Sequence, residues 1–451
     1  MDHIRQVTTD INRNRNMQPE RLIKKFNEKT SIVAVIGLGY VGLPLTVTVA
    51  RKGYHVIGID VSEFCIQNVN AGKNYIDDVD DTELKDLVKK GFISASNDYS
   101  LIKEVDVILI AVPTPLDKYH QPDMRHIKDT INNIKKHIST ETLLVLESTT
   151  YPGTTEELIV PPITEKDFII GKDVFIAYSP ERVDPGNKSF NTANTVKVVG
   201  GISENCNYVA KAFYETILDV DIHLVSSPAV AEMEKIYENT FRNINIALAN
   251  EMTILCERMG ISIWEVIEAA KTKPYGFMAF YPGPGVGGHC IPIDPFYLTW
   301  KAREYSYHTR LIELAGEINM EMPEFVLEKA IKILNKMNLS ISNAKILLLG
   351  ASYKKNIRDV RESPIHYLIT LLENWHSNFD YHDPFVPKFH NELNGKHYTS
   401  VSINKIERYD LVILLTDHDY FNLEDIHNKS KHILDTRNAF KLINSEKVTK
   451  L

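Results

Sequence analysis

The chain has 451 residues, more than one hydrophobic core usually holds, so two or three domains are expected. Its 51 basic and 59 acidic side chains leave a formal charge of −8, which argues against a general binder of phosphate backbones. No apolar stretch approaches the length of a bilayer span, and Cys65, Cys206, Cys256 and Cys290 are scattered with no CxxC pair and no secretory signal ahead of them, the pattern of reduced thiols in a cytoplasmic protein.

Residues 1–30 are polar and Asn/Arg-rich and read as an N-terminal extension, a tail or short surface helix. At Ser31 the pattern changes. "SIVAVIGLG" and "YHVIGID" are near-continuous apolar runs a helix-length apart, as in a βαβ unit, and "DVILIAVP", "TLLVLEST" and "DVFIAYSPE" repeat the theme. Residues 31–225 are therefore expected to form a doubly wound α/β domain. Residues 226–338 turn helical, led by one long helix that opens on Ser227 and Pro228 and closes at Gly260, a candidate spine between domains or subunits. Strand runs return in "AKILLLGASY", "DLVILLTDH" and "KHILDTRN", so residues 339–451 form a second, smaller α/β domain. The fold class is α/β: two Rossmann-like doubly wound domains joined by a long central helix and a helical middle region.

"GLGYVG" fits G-x-G-x-x-G, with Gly37, Gly39 and Gly42 framing Tyr40 and Val41 between a strand and a helix. Asp60 ends the second strand at the offset where a carboxylate accepts from a ribose and repels a 2′-phosphate, which favours NAD over NADP. "YPGPGVGGHCIPIDP" places Cys290 in a loop of glycines and prolines, outside the regular apolar elements in which structural cysteines normally sit. An inert loop thiol and a solvated turn aspartate at Asp294 are the plain alternatives. His289 is read as structural or substrate-lining, since no ligand cluster accompanies it. Lys235 and Asn239 stand four apart on the long helix and share a face, as a surface pair or as part of a site.

In order along the chain, the glycine fingerprint, "ESTTYPGTT", "YSPERVDPGN", "EKIYENTFRNINIALANE", "GPGVGGHCIPIDPFYL" and "SYKKNIRDVRESP" resemble the UDP-glucose/GDP-mannose dehydrogenase family from Ser31 onward. The resemblance implies oxidation of a sugar C6 alcohol to a carboxylate with reduction of two NAD+ and no metal. By position, Cys290 resembles the nucleophile that captures the aldehyde as a thiohemiacetal, which a second hydride transfer turns into a thioester for water to hydrolyse. The loop glycines would let sugar and nicotinamide reach the sulfur. Lys235 and Asn239 resemble the groups that stabilise the developing alkoxide, Asp294 and Thr149 the pair that holds the water, and Glu181 the acid/base in hydrolysis. For the cofactor, Val112, Pro113, Thr114, Ser148 and Thr149 match strand-end contacts, and Arg361 an arginine reaching NAD from the C-terminal domain. Glu181, Arg182, Val183, Lys235, Asn239, Phe280, Tyr281, Gly287, Tyr353 and Lys354 fall on UDP-sugar contact positions.

Substrate choice rests on departures from the UDP-glucose pattern. Ile293 stands where those enzymes carry a lysine, and neither Lys271 nor Lys273 corresponds clearly to their upstream arginine. The cysteine loop is more similar to the branch that oxidises UDP-N-acetylhexosamines, with UDP-N-acetylglucosamine first, UDP-N-acetylmannosamine next and UDP-glucose as a further alternative. The resemblance further implies a homodimer or higher oligomer through the long helix, no nucleic-acid or membrane partner, and a place in bacterial surface-polysaccharide precursor synthesis, such as capsule or O-antigen. Two rival classes are a one-step NAD oxidoreductase or epimerase and a non-catalytic nucleotide-sugar binding protein; the joint presence of Cys290, Lys235, Asn239 and Asp294 counts against the latter.

Overall fold

A computed structural model describes residues 18–76, 79–117, 119, 121–182, 194–443 and 445–451. Packing divides the chain into two compact units, Met1–Tyr237 and Glu238–Leu451, with the division inside the long helix Pro228–Met259.

The first unit is built on eight strands: β1 Ile32–Ile36, β2 His55–Ile59, β3 Ile93–Ser96, β4 Val107–Ile110, β5 Thr142–Leu146, β6 Val174–Tyr178, β7 Lys197–Gly201 and β8 Ile222–Val225. Their order is β3-β2-β1-β4-β5-β6-β7-β8, parallel throughout except where β7 runs antiparallel to β6. Every residue of β4, β5 and β6 is buried, because alternate side chains point to opposite faces and both faces are covered. Val33, Val35, Val107, Leu109, Leu143, Val145 and Phe175 share one core with the helices Gly42–Arg51 and Glu204–Ile217. That is why the sequence shows unbroken apolar runs here.

The segment read as a polar extension enters this core. Over Gln18–Glu28 it is a helix whose Leu22 and Phe26 are fully buried, each worth about 1.5–3 kcal/mol of apolar transfer. Phe26 meets Phe213 edge-on at 5.3 Å, and the Lys25 ammonium pairs with Asp106 at 2.6 Å. Its polar composition hid a buried stripe at i, i+4.

The second unit carries a five-stranded parallel sheet. Its strands are β9 Lys345–Leu349, β10 Asn378–His382, β13 Leu411–Leu414, β14 Ile433–Asp435 and β15 Val448–Lys450, and a separate antiparallel hairpin pairs β11 Lys388–Asn391 with β12 Lys396–Thr399. The order β10-β9-β13-β14-β15 reverses direction between β9 and β13, which opens a crevice at their carboxyl ends. One face packs Ile346, Leu348 and Ile413 on the helices Arg310–Lys336 and Pro364–Asn374; the other packs Leu347, Leu349, Val412 and Leu414 on Ile406, Ile426 and Phe440.

The long helix ends as its sequence suggests. Gly260 adopts φ +71, its amide donates to Glu257 O (3.1 Å), and the Ile261 amide donates to Cys256 O (2.9 Å), the two bonds of a Schellman cap. Among the described residues no helix is long and apolar enough to cross a membrane.

Candidate active site

In the glycine turn of the first unit, a Cβ at Gly42 would lie 1.7 Å from Gly37 O, and one at Gly37, where φ is +90, would lie 2.5 Å from Ala111 O. Those two glycines are required by the chain's own packing. At Gly39 nothing stands within 4 Å, so the backbone faces open space beside the N-terminus of the helix Gly42–Arg51, where a pyrophosphate is favoured. Asp60 Oδ2 accepts from the Leu38 amide (2.7 Å) and Oδ1 from the Ser62 amide (2.8 Å), which fixes the carboxylate at the end of β2 with lone pairs left for a ribose. Ser148 Oγ donates to Val112 O (2.8 Å) and Thr114 Oγ1 to Thr149 O (2.7 Å), tying the ends of β4 and β5 together around Pro113. These residues fit an NAD molecule.

The end of β6 carries Glu181 and Arg182. The Arg182 amide donates to Glu181 Oε1 (2.8 Å), while its guanidinium donates to Val196 O (3.0 Å) and lies 3.4 Å from Glu234. Val183 lies outside the described residues. Beneath Glu181 is a group that sequence reading missed: Lys197 Nζ donates to Glu147 Oε2 (2.5 Å) and to Pro180 O (3.2 Å), and the Tyr214 hydroxyl donates to the other Glu147 oxygen. Burial pushes Glu147 up; burial's downward pull on Lys197 is outweighed by Glu147 and Glu181, and two donors on Glu147 keep the proton on the lysine. The signal was present in outline, since "TLLVLE" and "KVVGG" each attach one charge to an apolar run that must be buried, and a buried charge needs a partner.

Lys235 is 7% exposed and makes no ion pair among the described residues. One turn earlier, Glu232 accepts from the Gly153 amide (2.6 Å), the Thr155 amide (2.8 Å) and Thr155 Oγ1 (2.7 Å), holding the "YPGTT" loop against the long helix. Burial pushes the Glu232 carboxyl up to about 7 despite these three bonds.

In the second unit Asn239, one turn beyond Lys235 on the same helix, donates to Asp294 Oδ2 (2.5 Å). The amides of Ile293 and Asp294 both donate to Cys290 O (3.1 and 2.8 Å), so the cysteine closes a turn that starts the helix Asp294–Ala302, with Asp294 buried at its first position. Cys290 itself is half-buried. The loop ahead is pinned by buried amides of the long helix and of the helix Arg310–Lys336: the Gly283 amide donates to Asn250 Oδ1 (3.1 Å), Asn250 to Asn319 (2.9 Å) and Asn319 to Asn243 (2.8 Å). Asn239, Asn243 and Asn250 recur on one helical face.

The loop glycines do a different job from the one expected. A Cβ at Gly287 would lie 2.5 Å from Tyr353 Cβ, one at Gly288 2.9 Å from the Tyr353 ring, and one at Gly283 2.5 Å from the Arg437 guanidinium. The chain's own side chains occupy that space, so these glycines let the cysteine loop lie flat on the C-terminal sheet's loops. The Gly288 amide adds a bond to Arg361 O (3.0 Å). Burial, then the nearby Arg361 charge, lower the His289 pKa and keep its imidazole neutral.

Tyr353 and Lys354 sit in the loop after β9, at the crevice where strand order reverses. Asp383 Oδ2 accepts from the Ala351 and Ser352 amides (2.6 and 3.0 Å) and from His418 Nε2 (3.0 Å), and His418 Nδ1 accepts from the Asn356 amide (2.9 Å). An accepting Nδ1 fixes the neutral tautomer. Burial would raise Asp383, but the His418 bond and the loop amides outweigh it and hold it below the usual range. Other expected contacts are engaged elsewhere within this unit: the Arg361 guanidinium forks onto Asp359 (2.6 Å at its shortest), Phe280 meets Phe241 edge-on at 5.9 Å, and Tyr281 stacks on Trp264 at 6.2 Å with its hydroxyl donating to Glu268 (2.8 Å).

A dinucleotide turn on one sheet, and a thiol loop with a paired aspartate and asparagine beside a second sheet's crevice, define a nicotinamide-dependent oxidoreductase with a second ligand-binding domain. The comparisons agree: residues 31–218 match the NAD binding domain of the UDP-glucose/GDP-mannose dehydrogenase family, 229–321 its central domain and 347–442 its UDP binding domain. Protein CapL of Staphylococcus aureus is 36% identical over 87% of this chain and 92% of its own, and the UDP-N-acetyl-D-glucosamine 6-dehydrogenase of Pseudomonas aeruginosa 35% over 89% and 95%. The structure of a UDP-D-ManNAc dehydrogenase from Pyrococcus horikoshii aligns with a TM-score of 0.83 at 31% identity, covering 93% of this chain and 98% of that one. The chain belongs to the UDP-glucose/GDP-mannose dehydrogenase family. Its cofactor is NAD.

Proposed function

We propose that this chain oxidises the C6 hydroxyl of a UDP-N-acetylhexosamine to the uronic acid, with UDP-N-acetylglucosamine as first substrate and UDP-N-acetylmannosamine as second. Relatives bearing both names support the substrate class. The observation that carries the chemistry is the Asn239–Asp294 hydrogen bond on the turn closed by Cys290 O, which joins a thiol, a buried carboxylate and an amide of the long helix in one constellation.

NAD, when bound, supplies the hydride acceptor for both oxidations. The Lys235 ammonium and the Asn239 amide stabilise the alkoxide that develops at C6 in the first, as the hydroxyl proton passes to water. Cys290 sulfur then bonds to the aldehyde carbon while the thiol proton passes to the aldehyde oxygen, which makes the carbon tetrahedral, so that a second hydride and that proton can leave and a thioester remain. Water held by Asp294 and Thr149 forms an O–C bond as the C–S bond breaks; Glu181 takes the water proton and sulfur leaves as thiolate. Arg182, Tyr353 and Lys354 offer charge and a ring to the UDP group.

The central helices favour self-association. Phe241, Leu248, Leu255 and Met259 are exposed at spacings of seven, seven and four on one helix, and Leu311 and Leu314 are exposed near the start of another, an apolar stripe suited to a second copy. The product class suits cytoplasmic synthesis of polysaccharide precursors.

The test is NADH release from purified protein with UDP-N-acetylglucosamine, UDP-N-acetylmannosamine and UDP-glucose. Two NADH per uronic acid are expected, and one per sugar would favour a single-step oxidoreductase. Cys290→Ala is expected to lower uronic acid formation by about a thousandfold or more with NAD affinity kept; full turnover would remove the thiol from the mechanism.

A further inference from the structure

Glu147, Lys197 and Tyr214 are a buried titratable cluster that the scheme above does not use. Sheet order explains their meeting: β5 and β7 flank β6, Glu147 follows β5, Lys197 opens β7, and Glu181 lies just past the end of β6 between them. A lone buried ammonium is strongly disfavoured, so the pair must be made, but a staple between two strands would need no third strand. Here Lys197 Nζ also bonds Pro180 O (3.2 Å), the carbonyl directly before Glu181, and lies 3.9 Å from Glu181 Oε2, while the Arg182 amide holds Oε1 at 2.8 Å. Both oxygens of Glu181 are thus faced by a positive or N–H group.

We infer that Lys197, braced by Glu147 and Tyr214, is a positioning residue for Glu181 and sets the aim of its carboxylate in thioester hydrolysis; this rests on the function proposed above. The step itself is redox-neutral. Among the described residues, the charged and titratable groups around Glu181 include Lys197 from β7, Glu147 after β5, Tyr214 from the helix Glu204–Ile217 and Arg182 beside it, the last of these paired with Glu234 of the long helix. Lys197 is itself buried and holds both the Pro180 carbonyl and one side of the Glu181 carboxylate, so it ties the backbone before Glu181 to the side chain's direction.

Because Lys197→Met by itself strands a buried carboxylate, the test uses the neutral pair Glu147→Gln/Lys197→Met, with Tyr214→Phe as the milder variant. Expected are thermal midpoints near that of the parent, KM within about threefold, kcat lowered about tenfold or more, and uronyl-enzyme accumulating on Cys290 by intact mass. Tyr214→Phe should lower kcat and accumulate uronyl-enzyme in the same way by less. A parent-like kcat and no acyl-enzyme in either folded variant would overturn the inference. If the double variant does not fold, the kcat and intact mass of Tyr214→Phe decide. Failure of the proposed function would look different: one NADH per sugar or full turnover by Cys290→Ala in the parent background, whatever Lys197 does.

Discussion

The chain has two glycine-rich loops, and they use their glycines in opposite ways. In the first, Gly37 and Gly42 are filled up to the limit by neighbouring backbone while Gly39 faces open space, so two glycines build the turn and one admits a ligand. In the second, Gly283, Gly287 and Gly288 are each covered by a side chain of the same unit, and the loop that carries Cys290 is shaped by docking on Tyr353 and Arg437. Composition alone reads both loops as places for a ligand to approach. Only the direction of each missing Cβ separates a contact made with substrate from one made with the protein itself.

The contrast is most sharply tested at Gly42. Its alanine variant would drive Cβ to 1.7 Å from Gly37 O, so a loss of about 3 kcal/mol or more is expected in denaturant unfolding, together with loss of NAD binding. Gly39→Ala meets no atom within 4 Å: stability should hold within about 0.5–1 kcal/mol while NAD affinity in a fluorescence titration falls about tenfold. Equal stability losses for the two would erase the distinction between building and admitting glycines.

Glu232, which ties the "YPGTT" loop to the long helix, gives an effect of similar size but with a pH signature. Its carboxyl is pushed up to about 7 in the folded chain from an ordinary 4.5, so the folded state binds the extra proton. The associated stability is fully present below the unfolded value and is lost as pH rises through about 7, a fall on the order of 3 kcal/mol at most. Glu232→Gln should flatten that part of a urea-unfolding series against pH. An unchanged slope between pH 5 and 7 would assign it to other groups.

The smallest expected effect lies in the cysteine loop. Gly288→Ala adds a strained φ of +90 and a 2.9 Å contact with the Tyr353 ring, for a loss of about 1–3 kcal/mol. Tyr353→Ala should relieve the steric part, so the double variant is more stable than the sum of the singles by about 1 kcal/mol. Strict additivity would mean that the ring does not shape the loop.

What the sequence determined by itself was whatever short-range pattern could express. The central strands were visible because both faces are buried and every residue had to be apolar, and the long helix because its cap residues and period agree. The dinucleotide turn was visible because its glycines and Asp60 lie within one βαβ unit. The half-exposed edge strands β3, β8 and β10 gave no such run, and in β7 the run is cut to two valines between Lys197 and the glycines that end the strand. Nor did the helix Gln18–Glu28, whose two buried residues sit among charges.

Only tertiary structure decided which residues meet across the chain. Glu147 and Lys197 meet past the end of β6, which lies between their strands, and Tyr214 reaches Glu147 from the helix Glu204–Ile217; Asp383 and His418 meet because β9 lies between β10 and β13. Periodicity fixes which way a side chain points along its own element. The identity of the group it meets depends on which strand is laid beside it, and that is a property of the whole sheet.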